Sequence, residues 1–549
     1  MKGRRTAAFL LTTTCAVGLL AATPVAAQLR GSTSAPATQA CGGLRPDAAF
    51  AREVAGLGRT HACTHLRGRA TTGVSHPAEL AAQGRQARAA LASTDPADVG
   101  RWSAAVNPGT KTVGITAVLL HTGKVLLFGG KYKTTDKNTA AYLFDPETGT
   151  GHEVPAPAAV FCGGITILSD GRMFSSGGAD PVPKGIVDQY LFDPISEQWQ
   201  RQPDTGLGRY YPTATKLADG RVLVTAGNEL DGTTTHPYAE LFTPPAPNAT
   251  SGTVERVGGD HVTKYYPRQW LMPDGNVLQM DNRKVYRMDT TGWDWTPLKP
   301  MLVSSGAGAA GLALPAGPNG SSKVMMIGGL SKGTANNRTQ RFNYANPAAG
   351  WSYGSPMPTT RSHMNVVQVP DGSAFGIGGN STNLYFDGQT QTMSYDPGTD
   401  TWTNLAVQSV RRGYHSTAVL LPDGRIMSAG DGGAGGGRQL IDFYSPPYLF
   451  QGPRPQITST PAQLDYASSF TIGASGPAAS RAVLMAPAAT THANEMHARH
   501  VELAVTPTTG GFQATAPPSG KVAPPGHYML FVLTPDGIPS VAEWVHVGP

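Results

Sequence analysis

The sequence predicts an all-β fold, a seven-bladed β-propeller followed by an immunoglobulin-like β-sandwich. Three observations predict it. Glycine (67) and proline (45) make up about a fifth of the 549 residues while only 15% are charged, which disfavours long helices and favours short strands joined by tight turns. A turn-plus-strand motif recurs seven times. The last hundred residues alternate strands and turns without that motif.

The motif is a turn, a short run of β-formers, then a glycine pair or its substitute. It reads HTGKVLLFGG from His121, DGRMFSSGG from Asp170, DGRVLVTAG from Asp219, DGNVLQM from Asp274, SSKVMMIGG from Ser321, DGSAFGIGG from Asp371 and DGRIMSAGDGG from Asp423. The turn positions Gly123, Gly171, Gly220, Gly275, Ser322, Gly372 and Gly424 lie 47 to 55 residues apart. A period near 50 with a diglycine after a strand is the kelch pattern, one blade per copy. A lone hairpin cannot bury both faces, whereas blades set around an axis cover one another. The propeller is placed at 101–450. A proline-rich switch (Pro446, Pro447, Pro453, Pro455) leads to the sandwich at 453–549, with strands in SSFTIGAS, SRAVLMAP, YMLFVL and AEWVHV.

Residues 1–27 read as a secretory signal: Lys2, Arg4 and Arg5, an apolar run from Ala7 to Ala22, and cleavage after Ala27. Sec export is favoured over the twin-arginine route. Residues 28–100 read as an irregular or helical N-terminal extension, helical from Ala78 to Ala92. Losing the signal takes three positive charges from the formal +6, leaving a balance too weak to argue for nucleic acid or an anionic membrane. No later apolar run is long enough to span a membrane, the signal marks the chain for secretion, and a monomer is expected. The four cysteines are Cys15, Cys41, Cys63 and Cys162. Cys15 leaves with the signal and Cys41 and Cys63 are placed to form a local disulfide. Cys162 is then odd, either a buried thiol or one consumed by other covalent chemistry. GAGAAG (306–311) has the spacing of a dinucleotide loop, but prolines follow it instead of a helix.

The repeat register yields a geometric argument. The residue eight before the turn aspartate is Cys162, Tyr211, Tyr266, His363 and His415 in blades two, three, four, six and seven, with Tyr414 adjacent and Gly114 at the same place in blade one. Equivalent positions form a ring at one end of the axis. Thiol, phenol and imidazole without carboxylates suit Cu(II) rather than Ca, Mg or Mn. Adjacent strand residues face opposite ways, so Tyr414 and His415 can share one metal only if the backbone is irregular there.

These residues, with FCGG around Cys162, RYYP around Tyr211, YHSTAVLLPDGR at Tyr414 and His415, and TTHANEMHARHVEL at His492, make the sequence resemble the galactose oxidase and glyoxal oxidase family of secreted copper radical oxidases. The resemblance covers roughly 101–549. It implies one copper ion held by Tyr211, Tyr414, His415 and His492, with His492 delivered by a hairpin of the C-terminal domain. It implies a Tyr211–Cys162 thioether acting as a radical, which accounts for the odd thiol, and Tyr414 as axial ligand and general base. The implied reaction oxidises an alcohol or hydrated aldehyde with O2 to give hydrogen peroxide. His497 and His500 are expected to be structural. Where galactose oxidases stack a tryptophan on the cross-link, this chain has Glu229, and Trp270 is the substitute considered. The closer analogy is therefore to glyoxal oxidases acting on small aldehydes, with His363, Tyr266 and Arg268 near the mouth. The alternatives are a carbohydrate alcohol oxidase and a non-catalytic extracellular protein that binds glycans.

Overall fold

A computed structural model describes residues 93–549 except 130–138, 181–183, 230, 232–233, 248, 264, 307, 316, 332–333, 382–387 and 432–438. The signal, Cys15, Cys41, Cys63, the stretch 78–92 and the Gly432–Gly437 run therefore lie outside the described residues. Of the N-terminal extension only its end is described, a single helical turn Pro96–Val99 capped by Asp95, whose Oδ1 accepts from the Ala97 amide at 2.9 Å.

Seven antiparallel four-stranded units follow the sequence repeat. Their inner strands are Thr116–Leu119, Gly164–Ile167, Thr213–Lys216, Arg268–Leu271, Ala310–Ala313, Asn365–Gln368 and Ser416–Leu420. Short β-branched and aliphatic runs suffice because neighbouring blades cover them on both faces, so most residues of these strands are buried. Ring closure is visible at atomic level, where Thr417 Oγ1 of blade seven donates to the Gly114 carbonyl of blade one at 3.0 Å.

One feature went unforeseen, and a second gives the C-terminal hairpin its place in the propeller. Blade seven takes its outermost strand from the start of the propeller, with Arg101 and Trp102 paired with Ser445 and Tyr444. That strand joins the two ends of the circle, and the Trp102 indole N–H donates to Thr392 Oγ1 at 2.9 Å in the neighbouring blade. Blade one has two additional inner strands, Ala489–Thr491 and Asn494–Glu495, which form a hairpin from the C-terminal domain. Thr491, Thr490 and Ala489 pair with Thr116, Ala117 and Val118, so the hairpin runs along the innermost edge of the propeller.

The C-terminal domain is a sandwich of a four-stranded and a five-stranded sheet. Its core includes Phe470, Ile472, Leu484, Phe512, Leu530 and Val545. Among the described residues no helix is long and apolar enough to cross a membrane.

Buried arginines brace the loops that enter the inner strands. Arg209, fully buried, donates to Glu240 Oε2 at 3.0 and 2.7 Å and to the Ala226 carbonyl at 2.7 Å. Arg412 donates to Asp442 Oδ1 at 2.7 Å and to the Gly430 carbonyl at 2.6 Å, with both charged side chains at 0% exposure. Removing one partner strands the other charge in a low-dielectric interior. Arg412→Ala is expected to lose about 3–5 kcal/mol of unfolding free energy. Denaturant titration checks this, and a loss under about 1 kcal/mol, the scale of an exposed pair, would contradict it.

Candidate metal and radical site

The ring derived from the repeat register is present, with a backbone reason. Cys162, Tyr211, Tyr266, His363 and His415 have φ of 64°, 67°, 41°, 54° and 69°. All five sit in the left-handed region that non-glycine residues avoid, at a cost of order 1–3 kcal/mol each. The conformation turns the chain out of its loop into the inner strand. Gly308, with φ +70°, precedes the inner strand of blade five in the same way, and a Cβ there would lie 2.5 Å from the His363 ring. Blade five thus makes room for its neighbour's imidazole. Backbone bonds link the ring from blade to blade: the Tyr211 amide donates to the Cys162 carbonyl (3.0 Å), Tyr266 to Tyr211 (2.8 Å) and His363 to Gly308 (2.6 Å). The irregularity required of Tyr414 and His415 is also there, because the regular strand begins only at Ser416.

At the hairpin tip His492 and Ala493 both have positive φ, 52° and 59°, the conformation of a tight two-residue turn. The turn brings His492 to the ring. Its Nε2 lies 3.5 Å from Cys162 Sγ, and its ring centroid lies 4.4 Å from His415, 4.8 Å from Tyr211 and 5.4 Å from Tyr414. The phenol oxygens of Tyr211 and Tyr414 are 2.5 Å apart. Tyr414 stacks on His415 at 3.7 Å, and His363 meets it edge-on at 4.7 Å. Cys162 is a free, fully buried thiol. All five residues expected from the resemblance therefore stand together.

Burial pushes the Cys162 thiol and the Tyr210, Tyr211 and Tyr266 phenols well above their ordinary ranges, because a charged form here would lose its hydration. A bound dication reverses that balance and stabilises tyrosinate. Among the described residues no three His, Cys, Asp or Glu side chains form a metal-binding group. This donor set is of another kind, two imidazoles and two phenols, and its chemistry fits Cu(II).

Several expectations about the surroundings change. Trp270 packs on Gly311 and lines a separate axial cavity with Glu495 and Arg499, so it does not cover Tyr211. The rings that stack on Tyr211 are Tyr210 at 4.1 Å and Tyr266 at 4.6 Å. Tyr210 was hidden in plain view in RYYP, since an aromatic beside a left-handed tyrosine folds back onto it. Tyr266 and His363 line the cavity beside the cluster, and so does Arg268, which also braces backbone. Arg268 donates to the carbonyls of Ala309 (2.9 Å), Tyr266 (2.5 Å) and Ala493 (3.3 Å), tying the hairpin tip to blades four and five. Tyr266 likewise donates to the Gly163 carbonyl at 3.0 Å. His497 hydrogen-bonds Thr166 Oγ1 at 2.9 Å and His500 the Pro370 carbonyl at 3.3 Å, both in packing roles away from the cluster. A cavity of about 280 Å³ opens onto the cluster and is lined by Tyr211, Tyr265, Asn282, His363, Tyr414 and His492.

Fold and site together describe a propeller whose axis presents phenol, thiol and imidazole to one point. The family model "Glyoxal oxidase N-terminus" matches residues 110–435, and "Galactose oxidase-like, Early set domain" matches 454–547. The chain belongs to the glyoxal oxidase and galactose oxidase family. It is 28% identical over 489 residues to a WSC domain-containing protein of Arthroderma benhamiae, covering 80% of this chain and 51% of that one. It is 25% identical over 511 residues to a galactose oxidase of Gibberella zeae, covering 82% and 71%. The chain thus spans about half the length of the first of these relatives. A fungal alcohol oxidase solved in complex with copper shares the fold, with a TM-score of 0.72 at 23% identity over 82% of this chain and all of that one.

Proposed function

We propose that this chain is a secreted mononuclear copper radical oxidase that converts small aldehydes, as their hydrates, or primary alcohols with O2 into the oxidised product and hydrogen peroxide. The observation that carries the reading is the meeting of Cys162, Tyr211, Tyr414, His415 and His492, drawn from three blades and a hairpin of another domain. Packing alone gives no reason for that set, nor for the left-handed backbone at four of its five members.

Tyr211, Tyr414, His415 and His492 would hold the metal, and Cys162 would join Tyr211 through a thioether. When bound, copper would supply one oxidising equivalent, by accepting an electron, and a Lewis-acid position for the substrate oxygen. Tyr211, as a sulfur-substituted radical, supplies the second equivalent and takes the hydrogen from the substrate carbon. Tyr414, as tyrosinate, receives the hydroxyl proton. The balance is two electrons and two protons from substrate to O2, giving hydrogen peroxide. No diffusible organic cofactor is needed, because the protein's own side chains supply the organic group.

The family match to glyoxal oxidases and Glu229 at the tryptophan position favour small aldehydes over galactose. Protein loaded with copper and oxidised is expected to release peroxide faster from methylglyoxal or glycolaldehyde than from galactose, and chelation is expected to abolish release. Faster turnover of galactose would move the assignment to carbohydrate alcohols. Peroxide from no substrate of the panel, with Cys162 still a free thiol, would leave a glycan-binding propeller.

A further inference from the structure

We propose that Thr491 is a positioning residue that fixes the tautomer of His492. The inference rests on the reading of His492 as a metal ligand. Thr491 lies one residue before the hairpin tip, held by its strand pairing with Thr116. Its side chain is fully buried, and its Oγ1 has three close neighbours: His492 Nδ1 at 2.6 Å, the Ile115 carbonyl at 3.1 Å and Thr116 Oγ1 at 3.1 Å.

A hydroxyl has one hydrogen to give and two lone pairs to receive with. The Ile115 carbonyl can only accept, so it takes the Thr491 hydrogen. His492 Nδ1, at the shortest of the three distances, must then be the donor. A proton held at Nδ1 leaves the lone pair of neutral imidazole on Nε2, the atom 3.5 Å from Cys162 Sγ in the cluster. The Ile115 carbonyl belongs to the loop entering the inner strand of blade one, so that blade anchors both the backbone and the proton of the hairpin that crosses it. Without Thr491 Oγ1, Nδ1–H would sit buried without this acceptor. The ring would then be drawn to the other tautomer, with a hydrogen where the metal bonds.

Thr491→Val keeps the shape and the β-branched strand preference while removing the acceptor. Its Cu(II) dissociation constant, measured by competition with a chelator, is expected to rise 10–100-fold, the usual effect of losing a partner that orients a metal-bound histidine. Thr491→Ser, which restores the hydroxyl, should stay within about threefold of wild type. Thr491→Ala offers the same loss of acceptor without the second methyl, should the valine fold poorly. The Cu(II) electron paramagnetic resonance spectrum reports the same change independently of turnover. Wild-type affinity in both the valine and alanine variants would overturn the proposal. Equal losses in the serine and valine variants would overturn it as well, since the effect would then come from packing. Wild-type protein that takes up no stoichiometric copper would instead refute the metal reading of the site.

Discussion

Cys162→Ser is expected to bind copper through His415 and His492 and yet to lose turnover by about 10³-fold or more, together with the long-wavelength absorption of the radical. The reaction takes two electrons from the substrate, and the second acceptor in this account is the Tyr211 ring. A sulfur bonded beside the phenol oxygen spreads the unpaired spin and lowers the potential at which the ring is oxidised, which a serine hydroxyl cannot do. Packing should survive, because serine is nearly the size of cysteine and the backbone bond from Tyr211 to the residue 162 carbonyl does not involve the side chain. Spectroscopy of the copper-loaded, oxidised variant and its peroxide yield check the result. Turnover like that of wild type would rule out the radical mechanism.

Tyr414→Phe is expected to keep the cross-link and slow turnover by about 10²–10⁴-fold, the range for a lost general base. The ring's stacking on His415 at 3.7 Å and its contact with His363 at 4.7 Å do not use the hydroxyl, so the fold should hold. What is lost is an oxygen 2.5 Å from that of Tyr211, placed to receive the substrate's hydroxyl proton beside the ring that takes its hydrogen. A fall in kcat with little change in KM would mark a group that acts in the transition state. Unchanged kinetics would assign the base elsewhere, with His363 the nearest imidazole outside the donor set.

The propeller was legible because its signal repeats. Seven turns at a near-constant period fix the register, and register alone places Cys162, Tyr211, Tyr266, His363 and His415 on one ring. Closure by Arg101 and Trp102 was illegible, because a two-residue strand carries no periodicity and its partners Ser445 and Tyr444 lie some 340 positions away. His492 lay outside the repeat. Only the family resemblance pointed to it, since nothing in Thr490–Asn494 tells that strand addition to blade one will carry the turn into the axis. The buried arginines did leave a trace, as the Arg209 that opens RYYP and the Arg412 that precedes GYH. Their meaning depended on Glu240 and Asp442 about 30 residues later, which only the blade geometry brings back. Trp270 misled for the opposite reason. Its composition suited the role, but its strand position faces Gly311.

The account turns on whether the Cys162 sulfur becomes bonded to the Tyr211 ring. Protein exposed to copper and O2, then stripped of metal, reduced, alkylated and digested, answers this by mass spectrometry. The account predicts one peptide pair containing both residues, lighter by two hydrogens than the sum of its parts and resistant to reductant. Recovery of Cys162 as an ordinary alkylated cysteine after that exposure would contradict it.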